Sequence, residues 1–242
     1  MLPKIDVPIF ELTLPLTKKK VKYRPFLVKE EKILLMAMES EDETSTLLAI
    51  KQIINNCCLS DIDIDSLPIT DLEFFFLNLR ARSVSETVDL QYKCNNKVKN
   101  EEGEESECGN LVKLNINLLE IQPKIPKNHN TKIELTADMG IVMRYPTFKM
   151  VENSNGEEVE RLINILISCV EYVYDKDNIY YAKDTPKEEL TDFIESLTRE
   201  QFVKVQEFFD TMPKISKKVH FDCPKCGYKE DINVEGIQNF FV

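Results

Sequence analysis

Phe10, Leu12, Leu14 and Leu16 alternate along the first stretch of the chain, the period of a half-buried strand. Lys18-Lys19-Lys20 turns it into a second extended piece, Val21–Val28, where Pro25 marks an edge position because proline cannot donate to a ladder. Helices are predicted over Lys29–Glu39 and from Thr44 to Cys57. Thr70-Asp71-Leu72-Glu73 reads as a capping box, followed at helical spacing by Leu72, Phe75, Phe76 and Leu79. Val159 to Val173 places Val159, Leu162, Ile163, Leu166, Ile167, Val170 and Val173 on one face, which predicts a core helix. Thr185-Pro186-Lys187-Glu188 orders a cap, an N1 proline and an N3 glutamate, and Thr198 with Gln201 repeats the box ahead of Phe202, Val205, Phe209 and Met212.

Strands are predicted at Ser83–Cys94, Leu111–Leu118, Thr131–Thr136, Gly140–Tyr145, Asn178–Ala182, Ile215–Cys223 and Tyr228–Val234. Strands, helices, strands, helices and strands follow one another without regular βα alternation, so the expectation is α+β: a mixed helical and β-hairpin domain. No internal repeat interrupts it, and a single domain over residues 1–242 is expected. Lys97–Glu107, with five glutamates, reads as a solvated loop.

Composition narrows the function. The 43% of hydrophobic residues and 30% of charged residues suit a chain that buries a core, and 31 Lys+Arg against 42 Asp+Glu give a net charge of −11. That balance opposes a protein living on phosphate contacts. No window approaches the ~18–20 apolar residues of a membrane span. Asp6 and Glu11 interrupt the N-terminus where a signal peptide needs an apolar core. A reducing cytoplasm, without membrane partners, is the expected setting. The six glycines make neither a GxGxxG turn nor a GxxxxGK[ST] loop, and neither a GxSxG elbow nor an HExxH motif occurs. His129 lies in a polar run read as a surface loop, and His220 at the end of an alternating strand. No catalytic residues and no small-molecule substrate are expected.

Seven cysteines in a reducing compartment read first as metal ligands or buried thiols. Cys223-Pro224-Lys225-Cys226-Gly227 is a zinc-knuckle sequence, in which two intervening residues turn both thiolates toward one metal and the glycine supplies a left-handed turn. Cys94 and Cys108-Gly109 are the natural second pair, because strands flank them as strands flank the first knuckle. Residues 84–118 and 215–236 would then form a zinc-ribbon-like element, closed by four protein ligands and therefore structural. Thirteen residues separate Cys94 from Cys108. Lengthening a closed loop from about 2 to about 13 residues costs roughly 1.7 kcal/mol, against the ~10–16 kcal/mol of a structural zinc site. Zinc is the expected cofactor, with a rubredoxin-like iron site the lesser rival and four free cysteines the bland alternative. Cys57, Cys58 and Cys169 sit among apolar neighbours as buried thiols.

Three stretches carry a family resemblance. LPLTKKKVKYRPFLVKEEKILLMAMESED at Leu14–Asp42, TDLEFFFLNLRARSVSE at Thr70–Glu86 and FDCPKCGYKEDINVEGIQNFF at Phe221–Phe241 resemble, in order, three blocks of the T4-type phage baseplate hub proteins. That family includes a hub subunit and a hub-assembly factor. The resemblance implies a non-enzymatic part in building the central hub of a contractile tail baseplate, through contacts with other hub proteins. It implies assembly in the host cell cytoplasm and a place in the tail baseplate. The long Cys94–Cys108 insertion departs from a compact knuckle. The rival reading is a zinc-ribbon nucleic-acid or transcription-associated module, which the acidic charge opposes.

Candidate contact residues follow from chemistry. Tyr23, Arg24 and Phe26 combine aromatics with a guanidinium, a mixture enriched at interfaces, although Phe26 in a core with Arg24 pairing an acid is the slightly favoured reading. Arg80 and Arg82 at a helix end complement its dipole or grip an acidic partner. Phe208 beside Phe209 widens an apolar face, and Phe240 and Phe241 either fold back or insert into a neighbour.

Overall fold

The computed structural model describes residues 6–39, 43–99, 105–154 and 156–236. They fall into two compact units, one of Met1–Ser60, Glu73–Lys124 and Lys214–Val242, the other of Asp61–Leu72 and Ile125–Pro213. The architecture is α+β, with small antiparallel sheets and seven α-helices among the described residues. None of those helices is long and apolar enough to cross a membrane.

In the first unit β1 (Phe10–Thr13) pairs with β2 (Lys20–Tyr23), the turn passing through Lys18 at φ 57°. The extended piece expected over Val21–Val28 stops at Tyr23, and Val28 opens α1 (Val28–Glu39). Pro25 thus lies in the connection, not on a sheet edge. The cause is Glu30, whose carboxylate accepts the Leu27 N–H at 2.9 Å and caps the new helix from its third residue. α2 (Glu43–Cys57) packs on α1 and buries Ile50, Ile53 and Ile54.

α3 (Ile69–Ser83) begins one residue before the expected cap. The Ile69 N–H is satisfied by the Pro146 carbonyl, and the Thr70 hydroxyl donates to the Pro213 carbonyl at 2.8 Å. The sequence box is therefore not the one formed. Farther along, Phe74, Leu77 and Ala81 pack against Val88, Ile116, Leu118 and Ile215. Those residues belong to two hairpins: β3 (Thr87–Lys93) with β6 (Leu111–Asn117), and β11 (Ser216–Asp222) with β12 (Lys229–Glu235). The acidic stretch read as a loop carries a further hairpin, β4 (Lys97–Lys99) with β5 (Glu105–Glu107). Lys97 faces Glu107 and Lys99 faces Glu105, so opposite charges support the pairing.

The second unit holds a four-stranded antiparallel sheet in the order β10-β9-β8-β7, from β7 (Lys132–Glu134), β8 (Gly140–Met143), β9 (Val170–Tyr174) and β10 (Ile179–Tyr181). The long helix expected over Val159–Val173 is instead α5 (Glu158–Ser168) followed by β9. Val170-Glu171-Tyr172-Val173-Tyr174 is rich in β-branched and aromatic side chains, which suit a sheet, and an irregularity in its pairing with β8 lets both Val170 and Val173 be buried although they are three residues apart. Val159 and Leu162 are exposed, while Leu166 and Ile167 enter the core. α4 (Phe148–Glu152), α6 (Lys187–Glu195) and α7 (Arg199–Thr211) complete the unit. Thr198 and Gln201 form the capping box expected of them. At α6 the N-cap is Pro186 and not Thr185, whose hydroxyl donates to the Tyr181 carbonyl. Gly140 is required by packing, since a Cβ there would stand 2.4 Å from the Ile133 carbonyl oxygen and from the Tyr174 hydroxyl. His129, read as a loop residue, stacks on Tyr145, with Nε2 3.0 Å from the Tyr145 hydroxyl and Nδ1 3.0 Å from the Thr211 hydroxyl.

Candidate metal centre

The β3–β6 and β11–β12 hairpins each end in a cysteine turn, and the two turns have the same backbone hydrogen bonds. In one, the Cys223 N–H donates to the Tyr228 carbonyl and the Gly227 N–H to the Cys223 carbonyl. In the other, the Cys94 N–H donates to the Asn110 carbonyl and the Gly109 N–H to the Cys94 carbonyl. Gly227 at φ 71° and Gly109 at φ 64° hold equivalent left-handed positions, which side chains with a Cβ rarely adopt. The insertion leaves this turn intact, because the Cys108 N–H closes it against the Asn96 carbonyl at 2.8 Å.

The turns meet. The sulfurs of Cys94, Cys108, Cys223 and Cys226 all lie within 4.8 Å of one another. Cys94 Sγ is 3.7 Å from Cys226 Sγ, and Cys108 Sγ is 3.8 Å from Cys223 Sγ. Thiolates ~2.3 Å from a shared tetrahedral zinc stand ~3.8 Å apart, so this donor set fits a closed four-sulfur site. Cys94, Cys108 and Cys223 are buried with Leu114 and Phe221, and Tyr92 packs edge-on to Phe221 at 5.1 Å. Asn96 and Asn110 each point a side-chain N–H at a sulfur, Cys226 and Cys223 respectively, at 3.6 Å. Such outer contacts orient ligands and offset their charge. Lys225 adds a cation, its Nζ donating to the Cys108 carbonyl at 3.0 Å.

Ionisation within the cluster is uneven. Burial pushes the Cys94 thiol up to about 12. Burial also opposes ionisation of Cys223, but the Cys226 and Lys225 backbone N–H groups and the Asn110 amide outweigh it and bring that thiol down to about 6. Thiols this close titrate as a set.

The other candidate residues are placed as follows. Tyr23 and Phe26 are buried in the first unit, and Tyr23 meets Phe75 edge-on at 5.4 Å. Arg24 pairs with Glu30 at 3.1 Å. Arg80 is half-buried, and burial lowers its pKa. Arg82 pairs with Glu86 and lies 5.2 Å above the Phe10 ring. Phe208 is 2% exposed inside the second unit's core, so it offers a partner no free surface. Phe240 and Phe241 lie outside the described residues. His220 has an acid partner unseen in the sequence, Asp231, at 3.1 Å across the β11–β12 hairpin. Asn96 and Asn110 were also missed, although an asparagine two residues after each cysteine of the first hairpin was there to be read.

A family model described as "T4 bacteriophage base plate protein" matches residues 7–242. No curated protein and no solved structure matches the chain.

Proposed function

Because this chain belongs to the T4 bacteriophage base plate protein family, matched from residue 7 to residue 242, we propose that it acts in assembling the central hub of the baseplate. It does so without catalysis, through contacts with other hub proteins, in the host cytoplasm where tails are built. The three sequence blocks at Leu14–Asp42, Thr70–Glu86 and Phe221–Phe241 support the hub as the place of action. The cysteine cluster carries the mechanism. A structural zinc held by Cys94, Cys108, Cys223 and Cys226 would fix two hairpins whose ligands Cys108 and Cys223 are 115 residues apart in sequence. All four positions are then filled by protein, so the metal supplies rigidity and no open site for substrate. Asn96, Asn110 and Lys225 orient the sulfurs and their turns, and Phe221 with Tyr92 excludes water from one side. Preorganised hairpins lower the ordering cost of docking.

Quantitative mass spectrometry of purified virions and of hub intermediates, with elemental analysis of the isolated protein, tests this reading. It predicts one zinc per chain and the protein in hub intermediates. Stoichiometric presence in virions as well identifies a permanent subunit, and presence in intermediates alone a factor that is released. Absence from both overturns the hub assignment, and iron in place of zinc overturns the metal.

A further inference from the structure

The second unit contains a cationic cavity in an otherwise acidic protein. Its volume is about 200 Å³, and Arg144, Lys183 and Lys187 line it together with the apolar side chains of Ile167, Val170 and Leu190. Among the described residues no carboxylate lines it. Asp184, Glu188 and Glu189 adjoin the two lysines in sequence yet stay off its wall. Arg144 is held in place by two donations to the Ser168 carbonyl, from Nε at 3.2 Å and Nη2 at 3.0 Å. Among the described residues none of the three cations has an ion-pair partner. A second cavity in the same unit is different, because its Lys132 and Lys204 share the wall with Glu134 and Glu207 and so are balanced locally.

Three cations converging on one cavity make a local positive patch on a chain of net charge −11, and such a patch attracts a negatively charged ligand. The apolar floor asks for more than a free anion. Ala182 and Lys183 follow directly on β10, an edge strand whose Ile179, Tyr180 and Tyr181 are exposed. An edge strand of this kind accepts extended chain, which presents alternate side chains to one side.

We infer that this cavity is a docking site for an extended acidic segment of a partner protein, one apolar side chain entering the floor and flanking carboxylates meeting Arg144, Lys183 and Lys187. The inference concerns the second unit and is independent of the metal and of the hub assignment.

The test uses the full-length protein and a fluorescein-labelled Glu-Glu-Leu-Glu-Glu peptide, followed by anisotropy at low and moderate salt. Binding should weaken with salt, on the order of tenfold when Lys183→Glu and Lys187→Glu are combined, and again when the peptide's Leu becomes Ser. Both lysines are exposed, and an unchanged thermal melt of the double variant would separate lost binding from lost folding. Absence of peptide binding overturns the inference, as does binding indifferent to the charge reversals. Equal or tighter binding of a single-stranded oligonucleotide of matched charge also overturns it, by making phosphate the ligand.

Discussion

Glu30 has a fully buried side chain, and it stays ionised because donors converge on it. Arg24 Nη2 lies 3.1 Å away, Lys29 Nζ 3.3 Å, and the Leu27 N–H 2.9 Å. Burial works against the charge, but the Arg24 hydrogen bond and these other donors prevail and lower its pKa. A carboxyl with a lowered folded pKa contributes stability that is complete above its unfolded value and fades as pH falls through the folded one. Glu30→Gln should therefore cost about 3 kcal/mol at neutral pH, near the lower end for a broken buried pair. Arg24 keeps the Pro25 and Asn56 carbonyls in the variant, which limits the loss. The gap between wild type and variant, measured by urea unfolding, should hold above about pH 5 and narrow below pH 4.5. A gap that stays constant to pH 3 would show that the charge is not what matters. This pair explains why the Tyr23–Phe26 stretch was ambiguous in the sequence. Its residue types suit both a hot spot and a core, and an acid six positions away is not distinctive among 42 Asp and Glu.

The paired turns show what local pattern reveals and where it fails. The Cys223–Gly227 knuckle was legible because its spacing is compact, and flanking strands pointed to Cys94 and Cys108 as its complement. The fold of the insertion was not legible, since composition marks Lys97–Glu107 as solvated without revealing that its charges alternate into register as β4 and β5. The break between α5 and β9 was hidden for another reason: Val170 and Val173, three residues apart, continue the helical period of α5, and an irregularity in the β8–β9 pairing lets a strand bury both. If the turn around Cys94 depends only on its own backbone bonds, the insertion is dispensable. Replacing residues 95–107 with Pro-Lys copies the second knuckle onto the first. The shortened protein should still bind one metal per chain. Loop closure would favour it by roughly 1.7 kcal/mol, offset by loss of the Asn96 amide on Cys226 and of Val98 from the apolar surround. A shortened protein that fails to bind metal would mean the hairpin helps to build the site.

The division into two units left no mark on composition, because one boundary falls within α3, between Leu72 and Glu73, and the first unit draws on three separate stretches of chain. It nevertheless determines how metal loss should propagate. All four cysteines belong to the first unit, where the metal would join the β3–β6 hairpin to the β11–β12 hairpin. The second unit has its own core, built from Ile141, Met143, Leu166, Ile167, Val173, Val205 and Phe208 among others, without contribution from those hairpins. Binding energy on the order of 10–16 kcal/mol, available only to the folded site, is folding energy for the unit that contains it. Chelation, or Cys223→Ser, should therefore release amide protection in β3, β6, β11 and β12 while β8 and β9 stay protected, as read by hydrogen exchange with mass spectrometry. The same treatment should lower the first thermal transition by well over ten degrees, since even a few kcal/mol shift a domain of this size by that much. Unchanged protection in the cysteine hairpins would remove the structural role of the metal. Simultaneous loss in β8 and β9 would mean that the two cores melt as one, and that the staple at the hairpin tips stabilises the whole chain.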